Sequence, residues 1–228
     1  MSKVKSYAAL QADKPLHPHD INRRDINPDD VNIDILYCGV CHSDIHMARN
    51  EWNNTSIYPM VPGHEIIGIV KEVGSSVTKF KVGDNVGVGV YVDACEKCDN
   101  CNSGKDHYCE EGIVLTYNSY EYGTRNITYG GYSKSIVVKE NYVIKVPSEM
   151  DMKKAAPLLC AGITTYSPLR HFKINSNHKV GIAGLGGLGH MGLKFASSFG
   201  ADVVVFSTSD SKKDEACLLY TSDAADDA

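Results

Sequence analysis

The sequence predicts a β-rich, barrel-like domain over residues 1–150, followed by the opening part of a parallel α/β sheet. Three observations predict it. The first 150 residues carry many short apolar runs broken by Gly, Pro, Asn and Asp. Beyond Val146, strands alternate with helices. A Gly-x-Gly-x-x-Gly turn sits between one of those strands and its helix.

In the first part the predicted strands are Val4–Leu10, Val31–Cys38, Ile66–Val73, Asn85–Val90 and Tyr132–Val138. His17-Pro-His-Asp20, Asn27-Pro-Asp-Asp30, Gly74-Ser-Ser76 and Val82-Gly-Asp84 read as the turns between them. In the second part Met150–Ala156 and Ile163–Phe172 read as helices. Lys179–Ala183 is a strand, Gly187–Phe199 an amphipathic helix, Val203–Ser207 a second strand, and Ser211–Ala216 the start of another helix. Two parallel strands are too few to close a core, so the α/β part, 151–216, is expected to be incomplete. The segment 217–228 turns small and acidic where a helix would continue with apolar residues. It looks like the translation of a sequencing adapter and is expected to stand outside the fold.

The chain has 228 residues, 43% of them hydrophobic and 22% charged, which fits a globular protein. A net charge of −5 argues against a nucleic-acid surface. No apolar run reaches the roughly 20 residues of a membrane span, and the first residues lack the apolar stretch of a secretion signal. The expectation is a cytoplasmic protein with reduced thiols. In that setting eight cysteines point to metal or catalysis rather than to disulfides.

Cys95, Cys98, Cys101 and Cys109 follow C-x2-C-x2-C-x7-C, the spacing of a closed four-thiolate zinc site, with an iron–sulfur cluster as the rival. Such an ion would order a lobe, Ala94–Glu111, that has too few apolar residues to hold itself. A second group of donors is scattered: Cys41, His64 and Cys160. Three protein ligands leave a tetrahedral site one short, the arrangement of catalytic zinc, although a lone Cys or His is more often packed core. Their company favours the metal. Glu65 can serve as a displaceable ligand or lie just outside the shell, and Asp44 can orient His64 through its other nitrogen. Ser43 and His46 supply the parts of a proton relay.

The third constellation is Gly184-Leu-Gly-Gly-Leu-Gly189 between strand and helix. Gly184 serves the tight turn, Gly186 and the neighbouring Gly187 the approach of a pyrophosphate, and Gly189 close helix–strand packing. At the end of the second strand an NAD site would want a carboxylate. The chain has Ser207 and Thr208 there, with Lys212 nearby, which suits the 2′-phosphate of NADP(H). The alternative is that both hydroxyls cap the next helix, and Asp210 keeps the NAD reading open.

Taken together, Gly39-Val-Cys-His-Ser-Asp-Ile-His46, Tyr58-Pro-Met-Val-Pro-Gly-His-Glu65, the cysteine quartet, Pro157-Leu-Leu-Cys-Ala-Gly-Ile-Thr-Thr-Tyr166 and Gly184–Gly189 resemble the zinc-dependent medium-chain alcohol dehydrogenases. The nearest likeness is to their cinnamyl-alcohol-dehydrogenase-like branch of NADP-dependent aldehyde reductases. The resemblance covers residues 1 to about 216. It implies a GroES-like catalytic domain followed by a Rossmann domain, with two zinc ions per chain, one catalytic and one structural, and NADP(H). It places Cys41, His64 and Cys160 on the catalytic ion with Glu65 beside them, and Ser43 and His46 in a proton relay. It sets Asp44 against the ligand histidine, Thr164 beside the nicotinamide, and Ser207, Thr208 and Lys212 on the 2′-phosphate. Trp52 falls in the substrate pocket. The loop Asn53–Tyr58 looks one residue longer than the family's, and family members continue considerably further. The implied activity is hydride transfer between NADP(H) and a primary alcohol or aldehyde in a cytoplasmic homodimer. The rivals are a polyol or amino-acid dehydrogenase of the same superfamily and an inactive zinc-binding fragment.

Overall fold

The fold is taken from a computed structural model, which describes residues 1–219. The chain divides into two compact units, Met1–Cys160 and the remainder from Ala161.

The first unit is built on antiparallel strands. β1 (Ser2–Ala8) pairs with β2 (His17–Arg23), with Val4 opposite Ile21. Then come β3 (Asp30–Cys38), α1 (His42–Ala48), β4 (Ile66–Val73), β5 (Asn85–Val88), β6 (Tyr91–Asp93), α2 (Asp99–Asn102), β7 (Val114–Leu115), β8 (Ser135–Lys139) and β9 (Val143–Lys145). The main sheet has the order β8-β3-β4-β5-β9 and is antiparallel throughout. β-branched residues fill one of its faces: Val31, Ile33, Ile66, Val70, Val86, Val88, Ile136 and Val138 form the largest buried cluster. β2 lies where the sequence read His17-Pro-His-Asp as a turn. Only Ile21 and Arg23 of that strand are buried, so its hydrophobic signal is weak, and Pro18 is tolerated near its start.

The register of β3 on β4 matters most. Cys38 stands opposite Ile66, and the next bond along is Gly39 N–H to the Glu65 carbonyl at 3.0 Å. The segment leading to Cys41 is thereby laid beside His64-Glu65. Later in the chain, α3 (Met152–Ala155) and a 3₁₀ turn (Ala156–Leu159) pack Ala155 and Ala156 against Ile67 of β4 and Val146. This burial keeps the chain in the first unit until Cys160, past the boundary at residue 150 drawn from sequence.

The second unit opens with α4 (Ala161–His171). β10 (Lys179–Ala183) pairs in parallel with β11 (Asp202–Phe206), and α5 (Gly187–Ser198) connects them. Leu193 and Ala196 of α5 are fully buried with Leu185 and Val203. α6 (Lys213–Leu219) follows a 3₁₀ turn at Asp210–Lys212, so the helix runs three residues into the segment read as a foreign tail. Residues 220–228 of that segment lie outside the described residues. No helix among the described residues is long and apolar enough to cross a membrane.

Candidate metal and cofactor sites

Cys41 caps α1. Its backbone N–H donates to Asp44 Oδ2 at 3.0 Å, closing the first turn of the helix. This turn places Cys41 at the helix start and sets Asp44 inward, where it is 2% exposed. His64 arrives from the segment before β4, and its Nδ1 lies 3.1 Å from Asp44 Oδ1. That contact commits Nδ1 and leaves Nε2 to face a metal. Cys160 arrives from the 3₁₀ turn, with its sulfur 3.8 Å from that of Cys41. One donor atom from each of Cys41, His64, Glu65 and Cys160 lies within 4.8 Å of the others.

Two thiolates on a tetrahedral zinc ion, at zinc–sulfur bonds of about 2.3 Å, stand about 3.8 Å apart. The Cys41–Cys160 separation fits that edge without rearrangement. The electrostatics fit as well. Burial alone would depress the His64 pKa, but Asp44 and Cys160 more than reverse it, so the metal-free imidazole is raised to about 10. For Cys41, burial opposes ionisation, while hydrogen bonds from Ser43 and the nearby imidazole lower its pKa overall. The pocket attracts positive charge and holds a proton where an ion would sit.

Glu65 is buried, and its pKa is raised by burial and by the Asp44 charge. Its carboxylate lies over Gly39: a Cβ at that position would run into Oε2. Only glycine leaves Glu65 room beside Cys41, His64 and Cys160. Ser43 Oγ lies 3.5 Å from Cys41 Sγ. His46 sits near the end of α1, with its ring 5.4 Å from that of Trp52 in a stacked arrangement, and Trp52 is nearly half exposed.

Sequence reasoning missed two neighbours. His46 Nδ1 donates to Glu51 Oε2 at 2.5 Å, which leaves Nε2 as an acceptor. Glu51 lies beyond the end of α1, off the helical spacing that would have flagged it. Tyr132 donates its hydroxyl to Asp44 Oδ2 at 3.2 Å from 88 residues away, with no local signal at all.

The quartet also converges. Cys95, Cys98, Cys101 and Cys109 place their sulfurs within 4.8 Å of one another, and Cys95 and Cys101 are again 3.8 Å apart. Backbone N–H groups of Cys95 and Cys98 donate to the sulfurs of Cys109 and Cys95 at 3.4 and 3.3 Å, as thiolates require. All four donors are sulfur and all come from one short lobe, the composition of a closed structural site.

In the second unit, Gly184 N–H bonds the Phe206 carbonyl at 2.8 Å, and Gly186 caps α5, whose first residue is Gly187. A Cβ on Gly189 would collide with the Gly184 carbonyl, so the third glycine of the motif allows the helix to turn tightly against the loop. Ser207 and Thr208 follow β11 and are exposed. Ser207 Oγ accepts from Ser209 N–H at 3.2 Å, which accounts for one hydroxyl locally. Lys212 Nζ donates to the Leu185 carbonyl at 2.9 Å, which brings the ammonium to the glycine loop itself. Thr164 lies exposed on α4.

A β-sheet that presents one three-donor and one four-thiolate site, followed by a glycine-loop α/β unit, is the architecture of a zinc-type alcohol dehydrogenase. The alcohol dehydrogenase GroES-like domain matches residues 27–148, and the chain belongs to that family. It is 53% identical over 224 residues to the NADP-dependent alcohol dehydrogenase C 1 of Mycolicibacterium smegmatis, covering 97% of this chain and 63% of that protein. It is 52% identical over 218 residues to the aldehyde reductase YahK of Escherichia coli, covering 95% and 62%. Among solved structures it superposes on a cinnamyl alcohol dehydrogenase from Helicobacter pylori complexed with NADP(H), with a TM-score of 0.91, 49% identity and coverage of 95% and 62%. A Sorghum bicolor cinnamyl alcohol dehydrogenase matches with a TM-score of 0.91, 44% identity and coverage of 95% and 61%. The chain thus spans about three fifths of the length of these relatives.

Proposed function

We propose that the protein is a zinc- and NADP(H)-dependent oxidoreductase that interconverts primary alcohols and aldehydes. The observation that carries this reading is the convergence of Cys41, His64 and Cys160, with Glu65, to within 4.8 Å of one another. Three firm ligands and one displaceable carboxylate belong to chemistry, since a structural site would be closed. The names of the relatives at about half identity support the alcohol/aldehyde substrate class and the choice of NADP(H).

Zinc bound there would supply a Lewis acid for an alcohol or carbonyl oxygen. The bound nicotinamide would exchange hydride with the substrate carbon. The chain's own residues do the rest. The sulfurs of Cys41 and Cys160 and Nε2 of His64 would hold the ion, and two thiolates there would lower its net charge. Asp44 keeps His64 in the tautomer that ligates. Ser43 supplies a hydroxyl beside the Cys41 sulfur. His46, held by Glu51, takes or returns the substrate proton at Nε2 and passes it to solvent. Trp52, stacked on His46, gives an aromatic wall suited to aryl or medium-chain substrates. In the second unit the Gly184–Gly189 loop receives the pyrophosphate, and Ser207, Thr208 and Lys212 receive the 2′-phosphate. The quartet would hold a second, structural zinc. None of the eight cysteines is joined in a disulfide, which leaves the six at the two donor groups available as ligands.

The test is a panel of aliphatic and aryl aldehydes assayed for NADPH oxidation by the zinc-loaded protein, alone and with Cys41→Ala or His64→Ala. Turnover of aldehydes that both substitutions abolish, with NADPH binding retained, is the expected result. Turnover that survives either substitution would refute the site.

A further inference from the structure

The Asp44 carboxylate is fully engaged. Oδ1 accepts from Gly63 N–H at 2.9 Å and from His64 Nδ1 at 3.1 Å. Oδ2 accepts from Cys41 N–H at 3.0 Å and from the Tyr132 hydroxyl at 3.2 Å. A carboxylate offers about four acceptor positions, so none of its capacity is idle. Three of the four donors are ligand residues or their immediate neighbours. The fourth is not. Tyr132 comes from the segment before β8, and its backbone is fixed on both sides: its N–H donates to the Pro62 carbonyl at 3.0 Å, and its carbonyl accepts from Tyr7 N–H at 2.8 Å. Its ring packs on the buried cluster of Val4, Ala8, Ile21 and Val61. A side chain anchored this firmly presents its hydroxyl at one place.

We propose that Tyr132 is a positioning residue for the Cys41–His64–Cys160 metal site: its hydroxyl fixes the rotation of the Asp44 carboxylate, and Asp44 fixes the ring of His64. The inference rests on the metal reading given above. Without the hydroxyl, Oδ2 keeps the Cys41 N–H, and the remaining tyrosine facing Asp44 is Tyr117, whose ring lies 5.9 Å from that of His64, so the carboxylate is held less firmly about its Cβ–Cγ bond. Oδ1 moves with it, so the imidazole is aimed less sharply at the ion. Loss of a direct outer partner of a ligand lowers metal affinity about 10–100-fold. Tyr132 acts one bond further out, so a smaller loss, about three- to tenfold, is expected. Tyr129 packs on the same cluster and supplies a control.

The experiment uses the purified chain loaded with ¹¹³Cd. Cadmium bound by four sulfurs and cadmium bound by sulfur and nitrogen resonate at well-separated shifts. In Tyr132→Phe the mixed-ligand resonance should move, and a chelator should strip that ion about three- to tenfold faster. The four-sulfur resonance and the circular dichroism should stay unchanged, and Tyr129→Phe should match the wild type in every respect. A folded Tyr132→Phe protein with an unmoved mixed-ligand resonance and an unchanged rate of metal loss would overturn the proposal. If that variant does not accumulate, Tyr132→Met fills the apolar cluster without a hydroxyl and gives the same two readouts. A wild-type protein that shows only the four-sulfur resonance defeats the metal reading itself, an outcome distinct from an unresponsive mixed-ligand signal.

Discussion

The sulfurs of Cys41 and Cys160 lie 3.8 Å apart although 119 residues separate them in the chain. Two folding events produce this. The β3–β4 register lays the Gly39–Cys41 segment along His64-Glu65. The burial of Ala155 and Ala156 on Ile67 returns the chain to the same end of the sheet. Together they bring the two sulfurs to one end of the sheet.

Glu65 and Gly39 give a first prediction. Gly39→Ala should push the Glu65 carboxylate out of its position or distort the turn before α1. Overpacking of this kind costs about 1–3 kcal/mol. Denaturant unfolding should report that loss, and the zinc of the three-donor site should be held more weakly. A variant of unchanged stability and zinc retention would mean that Glu65 is free to rotate away.

The raised pKa of His64 gives a second. In the metal-free protein the group titrates at about 10 against an ordinary 6.5. A folded-state pKa above the unfolded one means that the His64–Asp44 pair stabilises the metal-free fold fully below about pH 6.5 and progressively less as pH rises towards 10. Zinc competes with the same proton, so its apparent affinity at this site should rise with pH across that window. Titrating zinc in weakly buffered solution should release protons, which a pH indicator dye can count. Binding without proton release would contradict the assignment of His64.

Cys38 gives a third. It sits three residues from Cys41, yet burial pushes its thiol up to about 12, and it belongs to neither donor group. Cys38→Ala should leave the zinc content unchanged. In zinc-loaded protein a thiol reagent should titrate the exposed Cys217 first and Cys38 only slowly. Loss of an ion in Cys38→Ala would require a different ligand set.

The cofactor unit gives a fourth. Ser207→Asp would place a carboxylate where the 2′-phosphate is proposed to bind. Like-charge juxtaposition costs several kcal/mol, so NADPH affinity should fall by at least about tenfold while NADH is tolerated or favoured. Fluorescence titration of each nucleotide checks this. Equal affinities before and after the substitution would move the 2′-phosphate elsewhere.

Much of this was legible in the residues. β4 and β10 run over the residues predicted for them, because Ile66–Val73 and Lys179–Ala183 are short, mainly apolar runs, each preceded by a polar residue and closed by a glycine. β2 was not legible, because a strand with two buried side chains has almost no period to read. α1 was hidden by its length of seven residues and by an unusual cap, Cys41. In the site, residue type and local motif singled out Cys41, His64 and the quartet. Cys160 was named with Cys41 and His64 by residue type alone; it carries no spacing signal, since only the fold brings it near, and the family likeness set all three on one ion. Glu51 and Tyr132 are ordinary polar residues in sequence and acquire a role only through contacts that the fold creates.

The central claim is that Cys41, His64 and Cys160 hold an ion distinct from that of the quartet, and counting zinc per chain tests it most directly. Elemental analysis of purified protein after exhaustive dialysis should give two zinc ions in the wild type. It should give one in Cys41→Ala and one in Cys98→Ala where that variant folds. A wild type with a single zinc that Cys41→Ala leaves untouched would contradict the account.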